Sequence, residues 1–438
     1  MTGFTSPSPE IELPYAVRID SDGEIVWENS WEDGNMKYWK ITETPDSGIA
    51  ILGTHREISV IKKFDRNGEL LYSWEFELGL SGHILTGFLT DGEGGYIVSG
   101  YQSTSQYYRN DFFLLNVSAE GEVEWQRIYE ERRDQYCFAI TDVPDGGYLL
   151  VGNTIVNNYS GQFKVIRTDE EGDIIWQNHY GAEWLEEHEY LSSDGARAVT
   201  LTEDGNIVIA GVSYLWDENI GLYLRIFMVK INLDGEIIWM NIIDRGQSEA
   251  EEPRSITNTV DGGLALTGYS EHPDGDARRF FLKTDHRGQL IWWEIRENDR
   301  VSTNISRNFG VYAHEDRTFS LIGQNSTGRG LIIRYGTDPQ GVSKGEFVIL
   351  PNYNGLVSAY PNPFNSMATI GFVMSTQQEV SLQLFDQSGR LVEILVDEQL
   401  GAGSFTSVWN ATNQPAGVYF YRLEAGSFQQ TKMLTLVK

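Results

Sequence analysis

Cysteine is almost missing from this chain: Cys137, in the run YCFAI, is the only one among 438 residues. An intramolecular disulfide is thereby excluded, as is any CxxC metal or redox motif, and a lone Cys among apolar neighbours reads as a small buried hydrophobe. Histidine is also scarce, with seven copies scattered outside any HExxH-like spacing. Basic residues are outnumbered, 33 Lys and Arg against 63 Asp and Glu, for a formal net charge of −30. A surface of that sign repels nucleic acid and anionic lipid, so neither is expected as a partner. No apolar run approaches the roughly 18 residues of a membrane span. The opening MTGFTSPSPEIELP shows no basic segment followed by an apolar one, so no signal peptide is visible in it.

Aromatic residues and glycine are plentiful, with 12 Trp, 22 Tyr and 45 Gly, a composition that favours strands and turns over helices. Much of it falls in one repeated hairpin. FKVIRTDEEGDIIWQNHY (163–180) reads as a strand, a tight Asp169–Gly172 turn and a second strand carrying Trp176. The pattern returns around Trp27, Trp125, Trp239 and Trp292, and a sixth copy, VIKKFDRNGELLYSWEF, puts Tyr72 at the tryptophan position. Because these rings occupy one fixed place in the repeat, packing between repeats is their natural role. Turn chemistry accounts for the Asp and Gly: Asp bonds nearby backbone and Gly takes positive φ. The turns do not sustain the ligand spacing of a calcium loop, so no cofactor or metal is expected, with loop-bound calcium left as an option.

A second hairpin alternates with the first, as in AITDVPDGGYLLVG (139–152). The glycines that close it, at 53, 100, 152, 211, 268 and 323, recur every 47 to 59 residues. Four strands per unit at a period near 50 is the signature of a β-propeller blade. We label the strands a to d in chain order. Five full sets run from about Trp39 to Ile295, followed by a, b and a c-like strand, while the N-terminus supplies only c and d. Joining the two ends in one blade predicts six blades, with seven as the alternative. The expected organisation is an extension at 1–14, a propeller over 15–335, a linker over 336–354 and a small Ig-like β-sandwich over 355–438, all-β throughout.

A local function is expected where the repeat varies, in the b–c and d–a loops on one face. Acids and aromatics gather there: Tyr101, Tyr107, Tyr108 and Arg109, Glu183 and Trp184 with Glu186, Glu187 and His188, Trp216 with Asp217 and Glu218, and the stretch Glu249 to Arg254. Rings flanked by carboxylates suit a glycan, or a protein surface. Paired acids could equally serve glycoside hydrolysis, which depends on a separation that the sequence does not give. No catalytic residue is assigned. His188, in EEHEY, stands alone as a metal-ligand candidate.

The last segment has a different character: from Leu356 onward it carries four basic and six acidic residues, which leaves −28 on the rest. It opens with YPNPFN, containing Tyr360, Pro361, Asn362 and Pro363. It continues through DQSGRLV with Gly389 and Arg390, then GVYFYRL with Gly417 and Tyr419, and closes on KMLTLVK from Lys432 to Lys438. These motifs, in this order over about 85 residues, resemble the type A C-terminal sorting domain of the type IX secretion system, a family related to the Ig-like domain of flagellar hook-capping proteins. The resemblance implies recognition by the type IX translocon and a secreted or outer-surface location in a Gram-negative-type bacterium. The expected function is a non-enzymatic binding or adhesion protein presenting a propeller face to a glycan or protein. A secreted polysaccharide hydrolase or lyase is the alternative.

Overall fold

In the computed structural model the described residues are 2–437 without the segments 9–10, 20–24, 31–36, 56–57, 79–81, 105–108, 158–159, 182–194, 218–220, 244–249, 272–276, 302–309, 314–318, 325–329, 336–344, 349–354, 357–358, 360–361, 375–377 and 401–402. Every element among them is a β-strand, and no helix is long and apolar enough to cross a membrane. A three-stranded sheet comes first: β1 (Thr2–Ser8), β2 (Ile11–Ile19) and β3 (Ile25–Ser30).

Six antiparallel four-stranded sheets follow, each paired in the order a-b-c-d. Blade 1 is β4 (Lys37–Glu43), β5 (Ile49–His55), β6 (Ile58–Phe64) and β7 (Leu70–Glu77). Blade 2 is β8 (Ile84–Thr90), β9 (Tyr96–Thr104), β10 (Arg109–Val117) and β11 (Val123–Tyr129). Blade 3 is β12 (Gln135–Asp142), β13 (Tyr148–Asn157), β14 (Ser160–Thr168) and β15 (Ile174–Tyr180). Blade 4 is β16 (Gly195–Leu201), β17 (Ile207–Asp217), β18 (Gly221–Ile231) and β19 (Ile237–Ile243). Blade 5 is β20 (Ala250–Asn258), β21 (Leu264–Glu271), β22 (Ala277–Thr284) and β23 (Leu290–Val301). Blade 6 is β24 (Gly310–Ala313), β25 (Phe319–Gln324), β26 (Gly330–Tyr335) and β27 (Gly345–Val348).

The a strands of successive blades, β4, β8, β12, β16, β20 and β24, lie side by side. The sheets therefore radiate from a common axis with strand a innermost, which defines a β-propeller. The c strands are squeezed between neighbouring sheets, so β6 and β22 are buried along almost their whole length. The d strands lie outermost and alternate with solvent, as in β7 and β15. Near-continuous apolar runs in c and alternation in d follow from those positions.

The two ends differ from the sequence expectation. Rather than sharing one blade, each end builds its own sheet. Gly345–Val348, assigned to the linker, pairs with β26 as a fourth strand, and Thr2–Ser8, assigned to the extension, pairs with β2. Neither segment carries the repeat pattern, so only the pairing reveals it.

In blades 1 to 5 the c–d turn docks under the preceding sheet. Gly68, Gly121, Gly172, Gly235 and Gly288 all have φ between 74° and 88°. A Cβ built on them would meet Trp27, Trp74, Trp125, Trp176 and Trp239 respectively, each one sheet earlier. Hydrogen bonds fix the same joints: Trp27 Nε1 donates to Arg66 O at 3.0 Å and Trp176 Nε1 to Leu233 O at 2.8 Å. Tyr129 and Tyr180 hydroxyls donate to Gly172 O and Gly235 O at 2.8 and 2.7 Å. In blade 1 the ring on the glycine is Trp74, not Tyr72; Tyr72 stacks on Trp74 at 3.7 Å and shares a hydrogen bond with Tyr96.

A buried cation at the end of strand c pins the a–b turn of its own blade. Lys63 pairs with Asp46, Arg167 with Asp145 at 2.7 Å, Lys230 with Asp204 at 2.7 Å, and Lys283 with Asp261. Hydrogen bonds from Lys63 and Thr44 hold the Asp46 carboxyl down at about 2. Blade 2 has Asn116 at this place, and Asp91 instead accepts from the Glu93 and Gly95 amides at 2.8 and 2.9 Å. In the first sheet, which has no a–b turn, Arg18 reaches across to Ser47 O of blade 1 at 2.6 Å.

The tail is a sandwich of two sheets: β28 (Gly355–Leu356), β29 (Met367–Met374) and β32 (Gly403–Asn410) against β31 (Leu391–Leu400), β30 (Gln378–Asp386), β33 (Gly417–Ala425) and β34 (Phe428–Leu436). Its core, around Leu382, Trp409, Tyr421 and Leu434, draws only on tail residues.

Candidate functional site

Among the described residues, no group of three or more His, Cys, Asp or Glu is placed to hold a metal. Of the loop residues singled out by sequence, Tyr107, Tyr108, Glu183, Trp184, Glu186, Glu187, His188, Glu218 and Glu249 lie outside the described residues. Trp216 and Asp217, expected in a loop, instead finish β17, in register with Leu222 and Gly221 of β18. The alternating, apolar-rich run on both sides of 218–220 lengthens the hairpin and carries the ladder past the point where the sequence suggested a loop.

The structure assembles a different cluster, on the inner strands. In blades 1 to 5 the a–b register slips by one residue at the same place: between Tyr38 and Lys40, Leu85 and Gly87, Cys137 and Ala139, Ala196 and Ala198, and Pro253 and Ser255. The extra residues are Trp39, Thr86, Phe138, Arg197 and Arg254. A β-bulge of this kind bends the strand and re-aims the side chain that it leaves unpaired. Repeated on innermost strands, it gathers side chains from several blades towards the axis.

Three of the five bulge residues meet around one carboxylate. The Arg197 guanidinium lies 4.4 Å from the Phe138 ring centroid, and its Nε donates to Glu252 Oε1 at 2.6 Å. Arg254 Nη2 sits 3.0 Å from the same oxygen, with its guanidinium 5.3 Å from the Tyr269 ring. The Tyr269 hydroxyl donates to Glu252 Oε2 at 2.6 Å. Tyr101 stands edge-on to Tyr136 at 5.1 Å and to Phe138 at 6.2 Å, extending the aromatic wall.

The electrostatics are those of a cluster of two guanidiniums with one internal counter-ion. Burial pushes the Glu252 carboxyl up, but Arg197 and Arg254 outweigh it and hold the group below its ordinary range. The Tyr269 hydroxyl is pushed up to about 12 by burial and by Glu252. Lys40, on blade 1, is lowered by burial and further by Arg254 on blade 5, while Cys137 on blade 3 opposes this. Cys137 itself is buried, its thiol pushed up to about 12 by burial, which removes it as a nucleophile. Arg197 and Arg254 thus share the one carboxylate of Glu252 in a chain of net charge −30.

The sequence pointed to Tyr101 and to the stretch Glu249–Arg254 as variable-loop residues, but not to Phe138, Arg197 or Tyr269, which sit inside the repeat. The signal was nevertheless present: the column immediately before Ala139, Ala198 and Ser255 reads Phe, Arg and Arg within a motif that otherwise hardly changes.

A second polar group lies between blades 2 and 3. Buried Lys164 pairs with Glu131, and Asp111 accepts from the Glu131 amide and Gln135 Nε2, both at 3.1 Å. Burial pushes Asp111 up and Lys164 down. Each member is committed to a neighbour, so the group acts as a clamp between blades.

In the tail, two of the quoted motifs prove to be one structural unit. Asn362 Nδ2 donates to Met433 O at 3.2 Å, and Asn362 Oδ1 accepts from the Thr435 amide at 2.9 Å. The Phe364 amide donates to Thr435 O at 2.9 Å, and the Val437 amide donates to Phe364 O at 2.7 Å. The YPNPFN segment therefore clips onto the final strand, with Pro363 after a cis peptide bond and Phe364 in the core. Gly389 takes φ 80° in the turn where Arg390 Nε pairs with Asp386 at 3.0 Å. Gly417 opens β33 opposite Leu436, and Lys432 faces Tyr421 across the ladder. Tyr419 packs on Trp409 at 4.8 Å and donates to Pro415 O at 2.7 Å. Tyr360, Pro361 and Lys438 lie outside the described residues.

This tail is a secretion system C-terminal sorting domain, matched by that family over residues 358–437. The protein that carries it is secreted or displayed at the cell surface, and its tail engages the type IX secretion machinery. No curated protein matches the chain. Similar solved structures include the periplasmic gluconolactonase PpgL of Pseudomonas aeruginosa, at 14% identity and TM-score 0.47 over 93% of this chain and 97% of that one. PorZ of Porphyromonas gingivalis, a surface component of that organism's type IX secretion system, is similar at 10% identity and TM-score 0.37 over 98% and 69%. A putative 6-phosphogluconolactonase of Bacteroides fragilis is similar at 12% identity and TM-score 0.46 over 79% and 92%. None of these likenesses transfers an activity.

Proposed function

We propose that this exported protein is a binding propeller, not a hydrolase, and that a glycan seats at the axial cluster. One observation carries the reading: the carboxylate at the centre of the cluster, Glu252, is held ionised by two guanidiniums. Glycoside hydrolysis needs a carboxyl kept protonated to pH 7 by a raised pKa, working with a second acid at a set separation. Glu252 is shifted the opposite way. Tyr101, Tyr136 and Phe138 supply ring faces suited to a sugar, and the charged groups beside them suit its polar substituents.

The test is a glycan array probed with the purified protein, alongside an assay for released product on every glycan that binds. Binding without turnover, weakened at least tenfold by Phe138→Ala, is the expected result. Product release by the wild type, abolished by Glu186→Gln or Glu187→Gln, would place a hydrolase in the variable loops instead.

A further inference from the structure

The cluster is specific about charge as well as shape. It brings two guanidiniums to one carboxylate, and that carboxylate belongs to the protein. Arg254 uses Nη2 on Glu252 and Tyr269, while its Nε is buried without a hydrogen-bond partner among the described residues. A buried donor left unpaired costs free energy until an acceptor reaches it. The acceptor has to be compact, anionic and close to an aromatic surface.

We infer that the glycan bound here ends in a uronic acid, whose carboxylate docks on Arg254 and Arg197, and that Glu252 is a built-in competitor occupying the guanidiniums in its absence. This rests on the reading of the axial cluster as a glycan site. Planar guanidiniums bind a carboxylate through paired N–H donors, which a lysine cannot reproduce. A uronate adds a sugar ring that can lie on the wall formed by Tyr101, Tyr136 and Phe138. Overall charge sets the limit on size. A polyuronate would carry its charges along a surface of net −30 and be repelled, whereas one terminal carboxylate meets only the local excess of cations.

The competitor role gives a distinctive expectation. Glu252→Gln keeps the side-chain shape and removes the charge, leaving both guanidiniums without an anion. By titration calorimetry the ratio of glucuronate to glucose affinity should then be at least tenfold higher than in wild type. If Glu252→Gln is poorly stable, thermal unfolding supplies the second readout: its lowered Tm should rise with glucuronate and not with glucose or chloride at equal ionic strength. Arg254→Gln should erase the preference for glucuronate over glucose.

Equal responses to glucuronate and glucose in wild type and Glu252→Gln would overturn the inference. So would tighter binding of a peptide through its free C-terminal carboxylate than of glucuronate. These outcomes are separable from failure of the broader reading: neutral glycans bound in a Phe138-dependent way would leave the glycan site standing and remove only the uronate. Absence of all glycan binding would remove both.

Discussion

Lys230 lies at the end of a buried strand, and its charge is accepted by one carboxylate, Asp204, on the a–b turn of its blade. Asp204→Ala should therefore do more than loosen a turn, because it strands an ammonium whose side chain is 9% exposed. Breaking a buried pair from one side costs several kcal/mol, and the half-exposed Asp204 lowers this to about 2 kcal/mol. Adding Lys230→Met should recover most of that loss in denaturant unfolding; a double variant as unstable as the single would refute the pairing. The sequence revealed these aspartates as turn residues because an Asx turn is local: Asp169 accepts from the Asp173 amide four residues on. It did not reveal their second role, because Asp204 and Lys230 stand 26 residues apart and only the register of two strands brings them together. The same reason hid the meeting of Arg197 with Arg254, since a bulge belongs to a pair of strands and not to either one.

The joint between blades is a ring seated on a glycine, and two glycines separate its parts. Gly172 has φ +80° and a Cβ there would lie 2.8 Å from Trp125; Gly205 has φ +75° and nothing within 4 Å. Gly205→Ala should cost about 1 kcal/mol, the strain of a left-handed backbone alone. Gly172→Ala should cost about 2–3 kcal/mol, since it also displaces the indole. Similar losses at the two sites would mean that the tryptophan contact contributes little. The tryptophan pattern exposed this joint in the sequence for Trp27, Trp125, Trp176 and Trp239. In blade 1 Tyr72 does hold the tryptophan position, opposite Lys63, but the ring that reaches Gly121 is Trp74, two residues on. The end sheets escaped for a related reason: TGFTSPS and GEFV carry no turn or ring of the repeat, and hydrogen bonding alone recruits them.

Across the whole molecule, propeller and tail keep separate cores. Deleting residues 355–438 should therefore leave the propeller folded, with its near-ultraviolet dichroism retained, while the extracellular fraction falls to background by immunoblot of cells and medium. Loss of the dichroism would show that the tail is needed for folding as well as export. The propeller was legible from its period, and the tail from motifs that the Asn362 and Phe364 contacts now join into one unit. There remains the direction of the interblade joint. In blades 1 to 4 the c–d hairpin carries both halves of it, a glycine that receives the ring of the sheet before and a tryptophan that seats on the sheet after. A duplicated stretch of gene spanning one such hairpin therefore arrives with both halves in place, so this lineage can gain or lose a blade by unequal recombination without evolving a new interface.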